Sequence, residues 1–281
     1  MQKAIFISGA SRGIGRASVL MLSKLGYKVF AGVRREEDGR DLVDKSGGSI
    51  VPVSVEITDS ESIKQAAIKV ASLLGDDGLA ALVNNAGIAV IGPLEFIPLD
   101  KLREQFEVNV IGHVAMTQAF LPLLRKGNGR IINISSKEGI LSMPFVGPYC
   151  ASKHALEALS DALRMELNYW HIPVSIIEPG TIATEIINRS IDNAEECIRQ
   201  LPKHANDLYQ ACFDKARSAT TKIAESALPV DKVAKTLLKA ITAKKPKSRY
   251  TVGPDAKALA VISRLLPDWM IDKLILRQLG L

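Results

Sequence analysis

Cysteine is scarce, with only Cys150, Cys197 and Cys212 in a chain of 281 residues. The number is odd, no CxxC occurs, and no histidine stands at metal-ligand spacing. That argues against a disulfide framework and a zinc site, and fits a reducing compartment. Aromatic residues are also few, at 5%, and none interleaves the basic run KKPKSR at 244–249. The run therefore reads as a solvated loop, and no nucleic-acid partner is expected. No uninterrupted apolar run approaches the roughly 18 residues of a membrane-spanning helix. The N-terminal MQKAIFISG lacks the apolar core and cleavage site of a secretory signal. Together these absences lead to the expectation of a soluble, cytoplasmic protein.

What is present suits a globular fold. Apolar residues make up 47% and charged residues 23%, ordinary values that leave material for a sizeable core, and the net charge of +6 is mild. Apolar runs at 4–8, 28–33, 49–57, 79–84, 130–135 and 173–179 read as strands covered on both faces, because they are continuous rather than alternating. Between them, 15–26, 60–75, 99–126 and 151–170 carry helical periodicity. Regular alternation of this kind implies βαβ units and an α/β, Rossmann-type doubly wound parallel sheet. No internal boundary divides the chain, so residues 1–281 are expected to form a single domain. Residues 185–228 read as a helical substrate lid, and 255–281 as a helical C-terminal extension. That extension has apolar positions at helical spacing: Leu265, Leu266, Trp269, Met270, Leu274, Ile275 and Leu279. The stripe would pack on the body or a second subunit, with peripheral membrane contact as the alternative.

Directly after the first strand, SGASRGIG (8–15) sets Gly9, Gly13 and Gly15 in a strand–turn–helix context. Such a turn lets backbone approach a pyrophosphate at a helix N-terminus. Ser11, Arg12 and Ile14 lie in the same turn. The second strand ends at Val33, where an NAD-binding fold commonly places an acid, and Arg34 and Arg35 follow. Arg12 and Arg34 could bracket a 2′-phosphate, which favours NADP(H) over NAD(H). Further on, GPYCASKHALEAL (147–159) sets Tyr149 and Lys153 on one helical face. Taken alone, that pair is as readily surface decoration as a reactive site. His113, His154, His171 and His204 show no pairing that suggests ligands, and Cys150 reads as small core filler.

The ordered set SGASRGIG (8–15), NNAG (84–87), Asn109 in NVIG, NISS (133–136), YCASK (149–153) and PGTIAT (179–184) resembles the short-chain dehydrogenase/reductase family across roughly the first 185 residues. RYTVGPDAKALA (249–260) is similar, more loosely, to its retinol- and hydroxysteroid-dehydrogenase-like branch. The resemblance implies catalytic roles for Asn109, Ser136, Tyr149 and Lys153, with Ser136 standing 13 residues before Tyr149. It further implies cofactor contacts at Gly9, Ile14, Asn85, Ala86, Gly87, Pro179, Gly180, Ile182 and Thr184, and at Tyr149 and Lys153 themselves. Glu56, with Ile57 beside it, stands where many relatives carry Asp near the adenine. Ser136, Met143, Phe145, Tyr149 and Ile186 would meet the substrate, and Ile88, Ile91 and Val146 border the same space.

The chemistry explains these residue types. Hydride transfer belongs to the nicotinamide, so the protein must supply orientation and an acid–base group. A phenol is a poor base near neutral pH unless a cation favours its phenolate. Apolar borders without a placed Arg imply a hydrophobic alcohol or carbonyl of retinoid, steroid or long-chain type. Other readings are an NAD-dependent dehydrogenase of a small hydroxy acid and a non-catalytic nucleotide-sensing scaffold. An epimerase or dehydratase would need a larger C-terminal region than this chain offers. The resemblance also implies a homodimer or homotetramer, through helices at 99–126 and 151–170.

Overall fold

Short runs of β-branched and aromatic residues build the sheet: β1 (Ala4–Ile7), β2 (Lys28–Val33), β3 (Ile50–Ser54), β4 (Ala81–Asn84), β5 (Arg130–Ile134), β6 (Val174–Pro179) and β7 (Arg249–Val252). The computed structural model describes residues 2–46, 49–185 and 202–281. The strands lie in the order β3-β2-β1-β4-β5-β6-β7, and every neighbouring pair is parallel. Pro52 falls on β3, at the edge of the sheet, where a strand can lack one ladder donor.

Because side chains alternate along a strand, Ile5 and Ile7 point to one face and Phe6 to the other. The first face packs on α1 (Gly13–Lys24) and α8 (Asp231–Thr242) through Val19, Leu22, Val233 and Leu237. The second packs on α3 (Ser60–Leu74) and α5 (Gly112–Lys126) through Val70, Met116, Phe120 and Leu124. Phe6 and Phe120 meet there with ring centroids 4.5 Å apart. This double covering is why the strands read as unbroken apolar runs. Asp59 caps α3 by accepting from the Glu61 amide at 2.9 Å.

The structure departs from the sequence reading in several places. The run 99–126 is not one helix. It forms α4 (Leu99–Phe106), a π-helical segment at Glu107–Ile111 and then α5. Periodicity cannot reveal one wider turn inside an otherwise helical run. A short helix, α2 (Glu36–Asp44), follows β2 and was not expected. Its polarity and internal Gly39 hide its period. α6 (Gly147–Glu166) carries Pro148 in its first turn, with Tyr149 beside it.

β7 is a further strand missed by the sequence reading, and it removes Arg249 from the expected solvated run 244–249. Carboxylates are the reason. Arg249 Nε donates to Glu157 at 3.0 Å, its Nη2 to Asp161 at 2.7 Å, and Nε lies 3.4 Å from Glu178. Glu157 and Glu178 are both buried, and burial pushes both carboxyls above their ordinary value while Arg249 holds them down.

Within the expected lid, α7 (Lys203–Glu225) is helical. Ile186 and Cys197, with the rest of 186–201, lie outside the described residues. The C-terminal extension forms α9 (Pro254–Leu265) and α10 (Asp268–Leu279). Ile271, Ile275 and Leu279 of α10 are buried against Leu141, Met143, Ala219, Ile262 and Leu266, whereas Leu265, Trp269 and Leu274 stay exposed. Among the described residues, no helix is long and apolar enough to cross a membrane.

Replacing Arg249 with Met keeps the apolar stem but strands two buried carboxylates. Equilibrium denaturation should show a loss of about 3–5 kcal/mol at pH 8, shrinking as the pH is lowered and Glu157 and Glu178 take up protons. A loss independent of pH would contradict the role given to the buried acids.

Candidate active site

The strand order reverses between β1 and β4, so the loops that leave their C-terminal ends diverge and open a crevice. SGASRGIG occupies this point. Gly9 has φ +63, and a Cβ there would come within 2.7 Å of Ala86 Cα; at Gly15, a Cβ would meet the Gly9 carbonyl oxygen at 2.3 Å. Only glycine fits both positions. Asn85 braces the turn, its Nδ2 donating to the Ser8 and Gly9 carbonyls at 2.9 and 3.1 Å. The Ser8 hydroxyl accepts from the Asn85 and Ala86 amides at 3.0 and 3.1 Å. Gly87 lies against Asn109, and Thr184 reaches the opposite side of the turn, beside Gly13. The loops after β1, β4 and β6 therefore come together; Ser11 and Ile14 lie on the first of them, and Pro179, Gly180 and Ile182 at the end of β6 and on the loop that follows it.

Arg35 pairs with Asp38, and Arg12 lies 3.7 Å from Glu185. The bond from Arg35, at 3.0 Å, holds the Asp38 carboxyl below its ordinary value, and the charges of Arg12 and Arg34 act in the same direction. Arg34 also lies 3.9 Å from Glu56, whose other oxygen accepts from the Thr58 amide and hydroxyl at 3.2 and 3.0 Å. Ile57, next to it, is buried. A cationic cluster at the end of β2, beside a glycine turn, fits the adenosine end of a dinucleotide.

On the other side of the crevice, Tyr149 and Lys153 rise from the first turns of α6. Lys153 Nζ lies 5.6 Å from the centre of the Tyr149 ring and donates to the Ile134 carbonyl at 2.8 Å. Burial brings the Lys153 ammonium down to about 8, against the charges of Glu157 and Glu138. Burial also pushes the Tyr149 phenol above its ordinary value; Glu138 adds to the rise and a hydrogen bond with Ser136 opposes it. Ser136 sits at the end of β5, buried, and its hydroxyl donates to Glu138. Asn109 lies in the π-helical segment. Its Oδ1 accepts from the Ile88 amide at 2.9 Å, while Nδ2 donates to the Ile88 carbonyl and the Ser152 hydroxyl at 3.0 and 3.1 Å. Its side chain thus ties the loop after β4 to α6. Phe145 adopts φ +66, uncommon for a bulky residue, and its ring packs edge-on against Tyr209 and Phe213 of α7. Met143 packs instead toward α10.

A short chain dehydrogenase family profile matches residues 3–214. The chain belongs to the short-chain dehydrogenase/reductase family. It is 37% identical over 278 residues to an NADPH-dependent 3-dehydrocapnine reductase of Ornithobacterium rhinotracheale, covering 97% of this chain and 96% of that protein. It is 36% identical over 274 residues to human retinol dehydrogenase 5, covering 95% and 86% respectively. A short chain dehydrogenase from Burkholderia cenocepacia, solved with NADP, superposes with a TM-score of 0.75 at 25% identity, over 98% of this chain and 99% of that one. This is an NAD(P)-dependent oxidoreductase of the retinol-dehydrogenase-like branch.

Several residues of this short-chain dehydrogenase were not marked by the sequence reading. His113 is buried, and its Nε2 lies 2.7 Å from the Ala86 carbonyl, so the neutral ring donates there and holds the NNAG loop. Burial brings its pKa down to about 3. Lys137 donates to the Thr181 hydroxyl at 2.8 Å and to Asp255 at 3.1 Å. Asp255 also accepts from the Thr181 amide at 2.8 Å. The start of α9 therefore clamps the loops after β5 and β6 together. No periodicity or spacing marks such a long-range bond. Burial raises the Cys150 thiol to about 11, consistent with unreactive core filler.

His113 is held neutral in the folded protein, so proton uptake on unfolding penalises the native state below its unfolded value near 6.5. A His113→Asn variant has no such proton. Its deficit in Tm relative to wild type should be largest near pH 8 and should narrow as the pH falls toward 5. A constant difference across this range would rule out a neutral His113.

Proposed function

We propose that this enzyme interconverts a hydrophobic alcohol, of retinoid, steroid or long-chain type, with its ketone or aldehyde, using NADP(H). Tyr149 serves as acid and base, and carbonyl reduction is the cellular direction. The observation that carries the reading is the Lys153 ammonium 5.6 Å from the centre of the Tyr149 ring, with Ser136 beside the same phenol. When bound, the cofactor supplies or removes the hydride. Tyr149 would give its phenolic proton to the substrate oxygen in reduction and take one back in oxidation. Lys153, one helical turn away, lowers the cost of the phenolate by its charge. Ser136 would orient the substrate oxygen. Asn109 would hold this arrangement through Ile88 and Ser152.

The preference for NADP(H) is supported by Arg12 and Arg34 beside the end of β2, with Val33 where a ribose-binding acid would stand. The preference for an apolar substrate is supported by Phe96 and Phe145, whose rings pack edge-on against Tyr209 and Phe213 of α7. A homodimer or homotetramer is supported by exposed Ile111, Leu159 and Met165 along the π segment and α6.

Carbonyls and alcohols assayed with each cofactor, by reduced-nicotinamide absorbance, test this function. Tyr149→Phe should lower turnover by at least roughly a thousandfold while leaving NADPH binding within about twofold. Wild-type turnover in that variant would sink the assignment. Arg12→Ala combined with Arg34→Ala should raise KM for NADPH by roughly tenfold or more, with little change for NADH. Equal effects on the two cofactors would remove the 2′-phosphate from the argument.

A further inference from the structure

The short 3₁₀ turn Lys137–Gly139 follows Ser136 directly and brings a carboxylate into the site. Glu138 Oε2 accepts the Ser136 hydroxyl proton, while its Oε1 lies 4.0 Å from Lys137 Nζ. Lys137 is already engaged by Asp255 and Thr181, at 3.1 and 2.8 Å. Glu138 is half-buried, with its side chain 19% exposed. Its negative charge is thus weakly screened and fixed in place beside the reacting groups.

Resting on the reading of Tyr149 as the acid, we propose that Glu138 is a positioning residue that keeps the proton on Tyr149 into the alkaline range. Two physical effects combine. An ionised carboxylate accepts a hydrogen bond roughly twice as strong as a neutral oxygen does, so Ser136 turns its proton toward Glu138. While that proton points at Glu138 it is withheld from the Tyr149 oxygen, where a bond from Ser136 would favour the phenolate. The carboxylate also repels a phenolate, whose formation would place two like charges in one site. In reduction, the carbonyl carbon receives the hydride and the oxygen takes the Tyr149 proton, giving the alcohol and a phenolate. Repulsion by Glu138 then favours prompt reprotonation of Tyr149 from solvent.

Other charges also surround Tyr149. Lys153, on the same helix, favours the phenolate, and its own charge is offset by Glu157 and Glu138. Cys150 is a neutral thiol. Lys137 is balanced by Asp255 at the start of α9, and His113, behind Lys153, is neutral. The direction in which Glu138 shifts the phenol agrees with the geometry.

The test compares wild type, Glu138→Gln and Glu138→Asp in carbonyl reduction with saturating NADPH across pH 6–10. The alkaline limb of kcat should move to lower pH by about one unit in Glu138→Gln and largely return in Glu138→Asp. Ultraviolet difference titration of the unliganded protein gives a second readout. The phenolate transition absent from Tyr149→Phe should appear at lower pH in Glu138→Gln than in wild type. Coincident limbs and coincident phenolate transitions in wild type and Glu138→Gln would overturn the proposal while leaving Tyr149 as the acid. Full turnover in Tyr149→Phe would instead overturn the underlying reading. If Glu138→Gln does not fold, Glu138→Ala is read by the same criteria.

Discussion

The staple between β1 and β4 is the interaction on which the site depends. Ser8 accepts from the amides of Asn85 and Ala86, while the Asn85 side chain donates to the Ser8 and Gly9 carbonyls. These bonds satisfy backbone groups that the reversal of strand order would otherwise leave unpaired. They also fix the glycine turn and the NNAG loop relative to each other. His113 extends the same lattice by donating to Ala86, and Asn109 extends it by holding Ile88. The crevice is therefore shaped before any ligand arrives, so less ordering remains to be done on binding.

A second constraint is the handling of buried charge near α6. Lys153, Glu157 and Glu178 are all nearly inaccessible to water, and each would be costly alone. Arg249, entering from β7, neutralises both acids and bonds to Asp161 as well. Glu157 lies one helical turn beyond Lys153 and favours its charged form. The ammonium beside Tyr149 is thus connected to the far edge of the sheet. The Lys137–Asp255–Thr181 clamp does comparable work at the other end of the site, tying the C-terminal extension to the loop expected at the nicotinamide. The extension contributes to the site's rigidity through this clamp.

The sequence alone determined the parallel α/β sheet, its central strands, the glycine turn and the Tyr149–Lys153 helix face. Each depends on local periodicity or on the conformational freedom of glycine, and neighbouring residues carry that information. It also carried the family resemblance, because ordered motifs survive as text. Only the tertiary structure decided the break at Glu107–Ile111, the strand at Arg249–Val252 and the partnerships of His113, Glu138 and Asp255. The break is a small change in winding that leaves the apolar pattern almost untouched. The strand is four residues long, its Tyr250 and Val252 join the apolar core, and the acids that hold Arg249 lie far away in the chain. The charges around Tyr149 act through space across loops that the sheet order brings together. Such effects depend on distance and burial, and neither exists until the chain has folded.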